Sequence, residues 1–289
     1  MNDFLLSILL GIVEGLTEFL PVSSTGHLRI VEALFHLSLG DSFWKMYTIV
    51  IQLGAILALP VYFWNRILKF LSTFPKGERG DRNFLTHPLS LTMIAFVVTA
   101  VPAWALHKKI GENLESLWVI ALALLIGGIV MWIVDATFAR PQVAHMEEMS
   151  LTQAIWIGAC QILSAVFPGT SRSMSTIAAG QIAGISRPAA LEFSFFLSMP
   201  TMVVATLYDF YKTLKPTQDT INEGNLAPLA VDAHGWIVLA IGFVVSFIVA
   251  LAVVAWFMRW VRTKGFAPFA IYRIALAIVL IVLLVRGSI

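Results

Sequence analysis

The chain has 289 residues, of which 58% are hydrophobic and only 12% charged, too little polar surface to coat a soluble globule of this size. A formal net charge of +2 without any Lys/Arg run excludes nucleic acid as a partner, and the lone Cys160 excludes an intrachain disulfide and a cysteine metal cluster. The composition predicts a polytopic membrane protein, and its apolar runs predict an all-α integral membrane fold.

The first apolar stretch, 4–20, holds two carboxylates in GIVEGLTEFLPVSSTGH (11–27). Glu14 and Glu18 are four apart and share one face of a helix that Pro21 stops just before Ser23, Ser24, Thr25 and Gly26. An ionised group near the bilayer centre costs at least roughly 2.5–3.5 kcal/mol, so an ordinary apolar helix does not account for these acids. Nor does a secretory signal peptide, because Asn2-Asp3 supplies no basic segment and the apolar core carries both glutamates. The next apolar piece, 27–37, is about 16 Å long as a helix, short of the roughly 30 Å hydrocarbon core.

Runs long enough to cross follow near 44–64, 89–107 and 115–137. The broken pattern then returns, with 150–167 and 171–184 on either side of a Pro-and-Ser-rich turn. Crossing runs complete the chain near 190–209, 236–258 and 267–286, and Cys160 reads as a small core residue. The connections 65–88 and 210–234, rich in Lys, Pro, Asn and Asp, read as solvated loops.

The two breaks align without a gap, GIVEGLTEFLPVSSTG (11–26) over GACQILSAVFPGTSRS (158–173), which sets Gly11 on Gly158, Glu14 on Gln161, Ser24 on Ser171 and Thr25 on Arg172. The same 147-residue offset relates IAFVV (94–98) to IGFVV (241–245), and looser matches relate 52–60 to 192–200 and 120–125 to 274–279. The chain therefore reads as two repeats, 1–145 and 146–289, each a re-entrant helical hairpin (4–37 and 150–184) plus three transmembrane helices. An odd number of crossings per half predicts an inverted-topology repeat, with its site near the midplane where the hairpin tips meet.

Lys and Arg are denser in 65–88, 138–149, 185–189 and 259–266 than in the remaining connections, which predicts that the first set is cytoplasmic and both termini are outside. The site then opens toward the outer face.

The second tip reads PGTSRSMST (168–176). Gly169 followed by Ser171, Ser173 and Thr176 at a helix start presents free N–H groups and the positive end of the helix dipole, an arrangement suited to an anion. Arg172 adds a planar fork for phosphate oxygens. Two hydroxyl tips, one arginine, one histidine and two carboxylates suit phosphoryl transfer. Glu14 and Glu18 are candidate ligands for Mg²⁺ or Ca²⁺ bridging to a diphosphate. His27 is either the nucleophile or the base that activates Ser24 or Ser23. Glu192 and Gln52, at matching repeat positions, are expected to pair with hairpin backbone.

EGLTEFLPVSSTGH and PGTSRSMST, with QLGAILA and EFSFFLSMP after them, resemble the bacitracin-resistance type of undecaprenyl-diphosphate phosphatase over nearly the whole chain. The resemblance implies removal of one phosphate from undecaprenyl diphosphate in the bacterial inner membrane to give the lipid carrier for peptidoglycan precursors, with bacitracin competing by sequestering the substrate. It also implies Glu14, Glu18 and His27 as essential, Ser24 and Thr25 as the hydroxyl tip, and Ser171, Arg172 and Thr176 as phosphate-binding. Met174 departs from the glycine of many members. The signatures of type 2 phosphatidic acid phosphatases are absent. A lipid or small-anion transporter, or a flippase, is the rival reading, because inverted repeats with broken helices are its usual architecture.

Overall fold

A computed structural model describes residues 2–35, 42–106, 116–214 and 231–287. These form eleven α-helices: α1 Asp3–Thr17, α2 Ser24–Leu34, α3 Ser42–Tyr62, α4 Trp64–Thr73, α5 Pro88–Ala105, α6 Leu117–Thr137, α7 Leu151–Val166, α8 Arg172–Ile182, α9 Arg187–Leu214, α10 Ala233–Thr263 and α11 Ala267–Val285. Among the described residues, strand pairing is confined to an isolated parallel bridge between Val143 and Ile185.

Helix starts follow local chemistry. Asn2, Ser116 and Asp232 each accept a backbone N–H two or three residues on, and Ser150 with Gln153 closes a reciprocal capping box. Six helices are long and apolar enough to cross a membrane, at Phe43–Tyr62, Pro88–Ala105, Leu117–Thr137, Arg187–Tyr211, Ala233–Thr263 and Ala267–Val285. They correspond to the six predicted crossing runs. The chain is thus a multi-pass membrane protein.

Two expectations are corrected. The 65–88 connection is not wholly loop: its first part is helix α4, whose Phe70 is buried while Lys69 and Leu71 face out. A ten-residue amphipathic helix escapes a search for twenty-residue apolar runs. Glu192 takes the Arg66 Nε at 2.7 Å, and Gln52 Oε1 accepts a long 3.4 Å bond from Thr206; the partners found for both are side chains, not hairpin backbone. Cys160 is partly buried against the main core cluster, as expected of a small packing residue.

The packing recurs at the repeat offset. Helix α1 lies on α10, and α7 lies on α5. A Cβ on Gly11 would come within 2.9 Å of the Gly242 carbonyl oxygen, and one on Gly158 within 2.5 Å of that of Ala95, so both helix crossings depend on a missing side chain. Gly242 and Ala95 are themselves 147 residues apart.

The connections predicted to share a membrane side do meet at one end. Arg66 bridges Glu147 and Glu192, Arg82 donates to the Met149 carbonyl, Gln142 donates to Gly184, and Arg187 grips Asp135, which also accepts the Phe266 N–H. At the opposite end His234 pairs with Asp3.

Candidate active site

Each break places a serine where its backbone is unusual. Ser23 (φ 72) is the N-cap of α2 and Ser171 (φ 70) the N-cap of α8; each hydroxyl accepts a backbone N–H three residues on, at 3.4 Å. A left-handed non-glycine residue costs about 1–3 kcal/mol and persists only where the surroundings impose it. The matching of tips therefore differs from the gapless alignment by one residue. Gly169 (φ +94) gives the second turn an additional position, so Ser23 corresponds to Ser171, Ser24 to Arg172 and Gly26 to Met174. Gly169 needs both its φ and its missing side chain, because a Cβ there would sit 2.6 Å from the Ile120 carbonyl oxygen.

Ser24 and Arg172, the first residues of α2 and α8, converge on one carboxylate. Ser24 Oγ donates to Glu18 Oε2 at 2.5 Å, and Arg172 Nη2 donates to Glu18 Oε1 at 3.3 Å. The remaining contact of the guanidinium, to the Ser194 carbonyl, is 3.5 Å long, so the fork is loosely held. Ser173 closes the junction by donating to the Leu20 carbonyl at 3.0 Å. Glu14 is 1% exposed, and among the described residues its Oε1 has no hydrogen-bond partner. A buried, orphaned carboxylate oxygen beside a second carboxylate is a site seeking a proton or a cation.

His27 Nδ1 lies 2.7 Å from the Ser23 carbonyl and Nε2 lies 2.6 Å from the Tyr272 hydroxyl, with the two rings nearly parallel. The carbonyl can only accept, so Nδ1 carries the proton and Nε2 accepts from Tyr272 in the neutral ring. The Ser24 hydroxyl bonds Glu18 across the break, while both ring nitrogens of His27 are engaged by Ser23 and Tyr272.

The other predicted binding residues separate into two groups. Ser23, Ser24 and Thr25 lie in one partly open turn, beside His27. Ser171 caps α8 and bonds Ser173 at 3.1 Å, while the Thr176 hydroxyl is fully buried against Ser194 at 2.6 Å and the Arg172 carbonyl at 3.0 Å. Ser173 and Thr176 thus brace the second tip rather than facing a cavity. Among the described residues, no cluster of three or more His, Cys, Asp or Glu gathers anywhere, so a hard cation at Glu14 and Glu18 would complete its shell with hydroxyl, water or substrate oxygens.

Sequence reasoning passed over Tyr272 and Arg273. Arg273 is 0% exposed and donates to the carbonyls of Pro21, Ala123, Gly169 and Thr170 at 3.0–3.1 Å. The signal was present: an arginine inside the apolar run 267–286 is a functional candidate by default.

Sequence comparison gives a consistent picture. The profile of a family described as bacitracin resistance protein BacA matches residues 7–279. An undecaprenyl-diphosphatase of Koribacter versatilis (strain Ellin345) is 65% identical over 279 residues, covering 96% of this chain and 97% of that protein. Proteins of the same name from Caldanaerobacter subterraneus and Deinococcus radiodurans are 39% and 37% identical, each covering 99% of this chain and 98% and 97% of their own lengths.

Proposed function

The chain belongs to the bacitracin resistance protein BacA family, and from that membership and the site we infer that it removes one phosphate from undecaprenyl diphosphate, yielding undecaprenyl phosphate. It is a membrane hydrolase of cell-wall lipid recycling. The observation that carries the chemistry is the convergence of Ser24 and Arg172 on Glu18.

We propose Ser24 as the nucleophile and Glu18 as its base. Glu18 Oε2 takes the hydroxyl proton as Ser24 Oγ attacks the terminal phosphorus, and the bond from that phosphorus to the bridging oxygen breaks. Undecaprenyl phosphate leaves as an anion and needs no proton. Arg172, released from its long contacts, follows the charge on the transferring oxygens, aided by the N–H groups at the starts of α2 and α8. The phosphoserine is then cleaved by water, which as it attacks gives a proton to the Tyr272 hydroxyl while that hydroxyl passes its own proton to Nε2 of His27, and the Ser24 hydroxyl is restored with the proton held on Glu18. Tyr272 fixes the ring for that step. Ser23 and Thr25 line the same turn as substrate contacts, with Ser171, Ser173 and Thr176 keeping Arg172 and the α8 terminus in place.

The oxygen donors and the orphaned Glu14 oxygen suit Mg²⁺ or Ca²⁺. When bound at Glu14 and Glu18, the ion offsets the charge of the diphosphate.

The inverted repeat with two re-entrant hairpins remains our reading of the topology. It is supported by the exchanged packing of α1 on α10 and α7 on α5 and by the paired left-handed serines. Clustering of the Lys/Arg-rich connections at one end supports a cytoplasmic placement for that end of the chain in the bacterial inner membrane, with the site reached from the outer face. Bacitracin, by sequestering the diphosphate, competes there.

The test is phosphate release by purified protein in detergent from undecaprenyl and farnesyl diphosphates, with and without chelator. Release abolished in Ser24→Ala and dependent on a divalent cation is expected. Folded protein that releases none from either substrate overturns the reading in favour of transport.

A further inference from the structure

Helix α11 carries one charge in the apolar sequence IYRIALAIV (271–279), and that charge reaches both hairpin breaks. Arg273 Nη1 donates to the Pro21 carbonyl at 3.1 Å; Nη2 donates to Gly169 and Thr170, each at 3.0 Å, and to Ala123 of α6 at 3.1 Å. Pro21 stands two residues before the left-handed Ser23. Gly169 and Thr170 immediately precede the left-handed Ser171. A break inside a membrane protein frees backbone carbonyls that need partners, and one guanidinium here serves both breaks at once.

Two further observations separate this arrangement from ordinary packing. Among the described residues Arg273 enters no ion pair, so its partners are carbonyl dipoles in place of a carboxylate. Gly127 of α6 leaves the space it occupies: a Cβ there would collide with Nη2 and come within 3.1 Å of Cζ. The cavity is thus shaped for a planar fork. A lysine would keep the charge but present all its donors from one nitrogen, which cannot span Pro21 on one side and Gly169 on the other.

We infer that Arg273 is a positioning residue for the phosphatase reaction: it fixes the spacing of the two breaks, so that Ser24 from the first and Arg172 from the second meet on one phosphate. This rests on the assignment of Ser24 and Arg172 above. Because a displacement of about 1 Å in reacting groups can cost on the order of 10²-fold in rate, the effect belongs to kcat more than to KM.

The experiment compares wild type, Arg273→Lys, Gly127→Ala and the double variant, purified in detergent, with kcat and KM expressed per folded molecule alongside thermal melting. Arg273→Lys is expected to lose on the order of 10²-fold in kcat with KM within about threefold. Gly127→Ala alters no residue of the reaction but displaces the guanidinium, and should lower kcat at least tenfold by the same route. The double variant should be no worse than Arg273→Lys alone, since both act through one element. Lower melting with near-normal kcat in the folded Arg273→Lys protein would make the residue merely structural and overturn the inference. Should that variant fail to fold, normal kcat in Gly127→Ala does the same. A silent wild type sinks the phosphatase reading itself, whereas an active wild type beside a normal lysine variant sinks only the role of Arg273.

Discussion

Ser24 Oγ lies 2.5 Å from Glu18 Oε2, across a break in the chain, and not toward the histidine three residues on. Serine and carboxylate should therefore act as one unit. Ser24→Ala and Glu18→Gln are each expected to lower kcat at least about 10³-fold, with the double variant scarcely worse than either single, because groups that act together are strongly non-additive. Multiplicative losses, or Ser24→Ala activity within tenfold of wild type, would transfer the nucleophile's role to His27.

Arg172 is held by Glu18 at 3.3 Å and by the Ser194 carbonyl at 3.5 Å, contacts long enough to exchange for phosphate oxygens. Loss of a preorganised donor to developing charge typically costs about 10²–10³ in kcat, and Arg172→Ala should lose at least that. Arg172→Lys retains charge but not the fork, so a large defect should remain. Near-normal turnover in Arg172→Lys would remove the two-point clamp from the mechanism.

The orphaned Oε1 of Glu14 makes a separable claim about the cation. Glu14→Gln should weaken the apparent affinity for Mg²⁺ or Ca²⁺ in a titration of activity as well as reduce kcat, because an amide is a poorer ligand for a hard cation than a carboxylate. A fall in kcat at unchanged metal dependence would recast Glu14 as a proton carrier.

What the sequence disclosed, and what it did not, follows from the kind of signal each residue leaves. Glu14, Glu18 and Arg172 stand out because charge in an apolar run is costly enough to need a reason. Arg273 leaves the same mark, yet it sits in a run otherwise ideal for crossing, and its partners are carbonyls that no side-chain pattern records. The bond from Ser24 to Glu18 left no mark in the sequence, because Ser24 and His27 are near neighbours along α2 whereas the contact with Glu18 depends on the path of the turn between them. That path depends on Ser23 adopting a φ of 72°, as Ser171 does at 70° in the second tip, a conformation sequence would assign to glycine. The one-residue difference between the tips arises there too. Helix α4 stayed hidden for another reason: its apolar face is a single turn or two, too short to stand above the loop around it.

Orientation can be read with thiol labels. In a Cys160→Ser background, Lys76→Cys lies at the end where the basic connections gather and His234→Cys at the other, beside Asp3. Membrane-impermeant reagent applied to whole cells should label position 234 and spare position 76. Labelling at 76 alone would turn the protein over and open the site to the cytoplasm.

Arg66 ties three segments at that same end, with Glu147 Oε1 at 2.6 Å and Glu192 Oε1 at 2.7 Å. Burial raises the Glu147 carboxyl, but the hydrogen bond from Arg66, a backbone hydrogen bond and the charges of Arg66 and His145 together hold the group below the usual carboxylate range. A carboxyl held low in the folded state stabilises above its unfolded pKa, and that contribution disappears as pH falls through the folded value. Arg66→Gln should therefore be less stable than wild type at neutral pH by about 1.5–3 kcal/mol, the usual worth of hydrogen bonds to charged groups. Thermal melting in detergent across a pH series should show the gap narrowing below about pH 4, where the unfolded carboxyl also takes its proton. A gap that stays constant with pH would mean that Arg66 stabilises this end through its packing over the Phe70 ring, 4.7 Å away, and not through its acids.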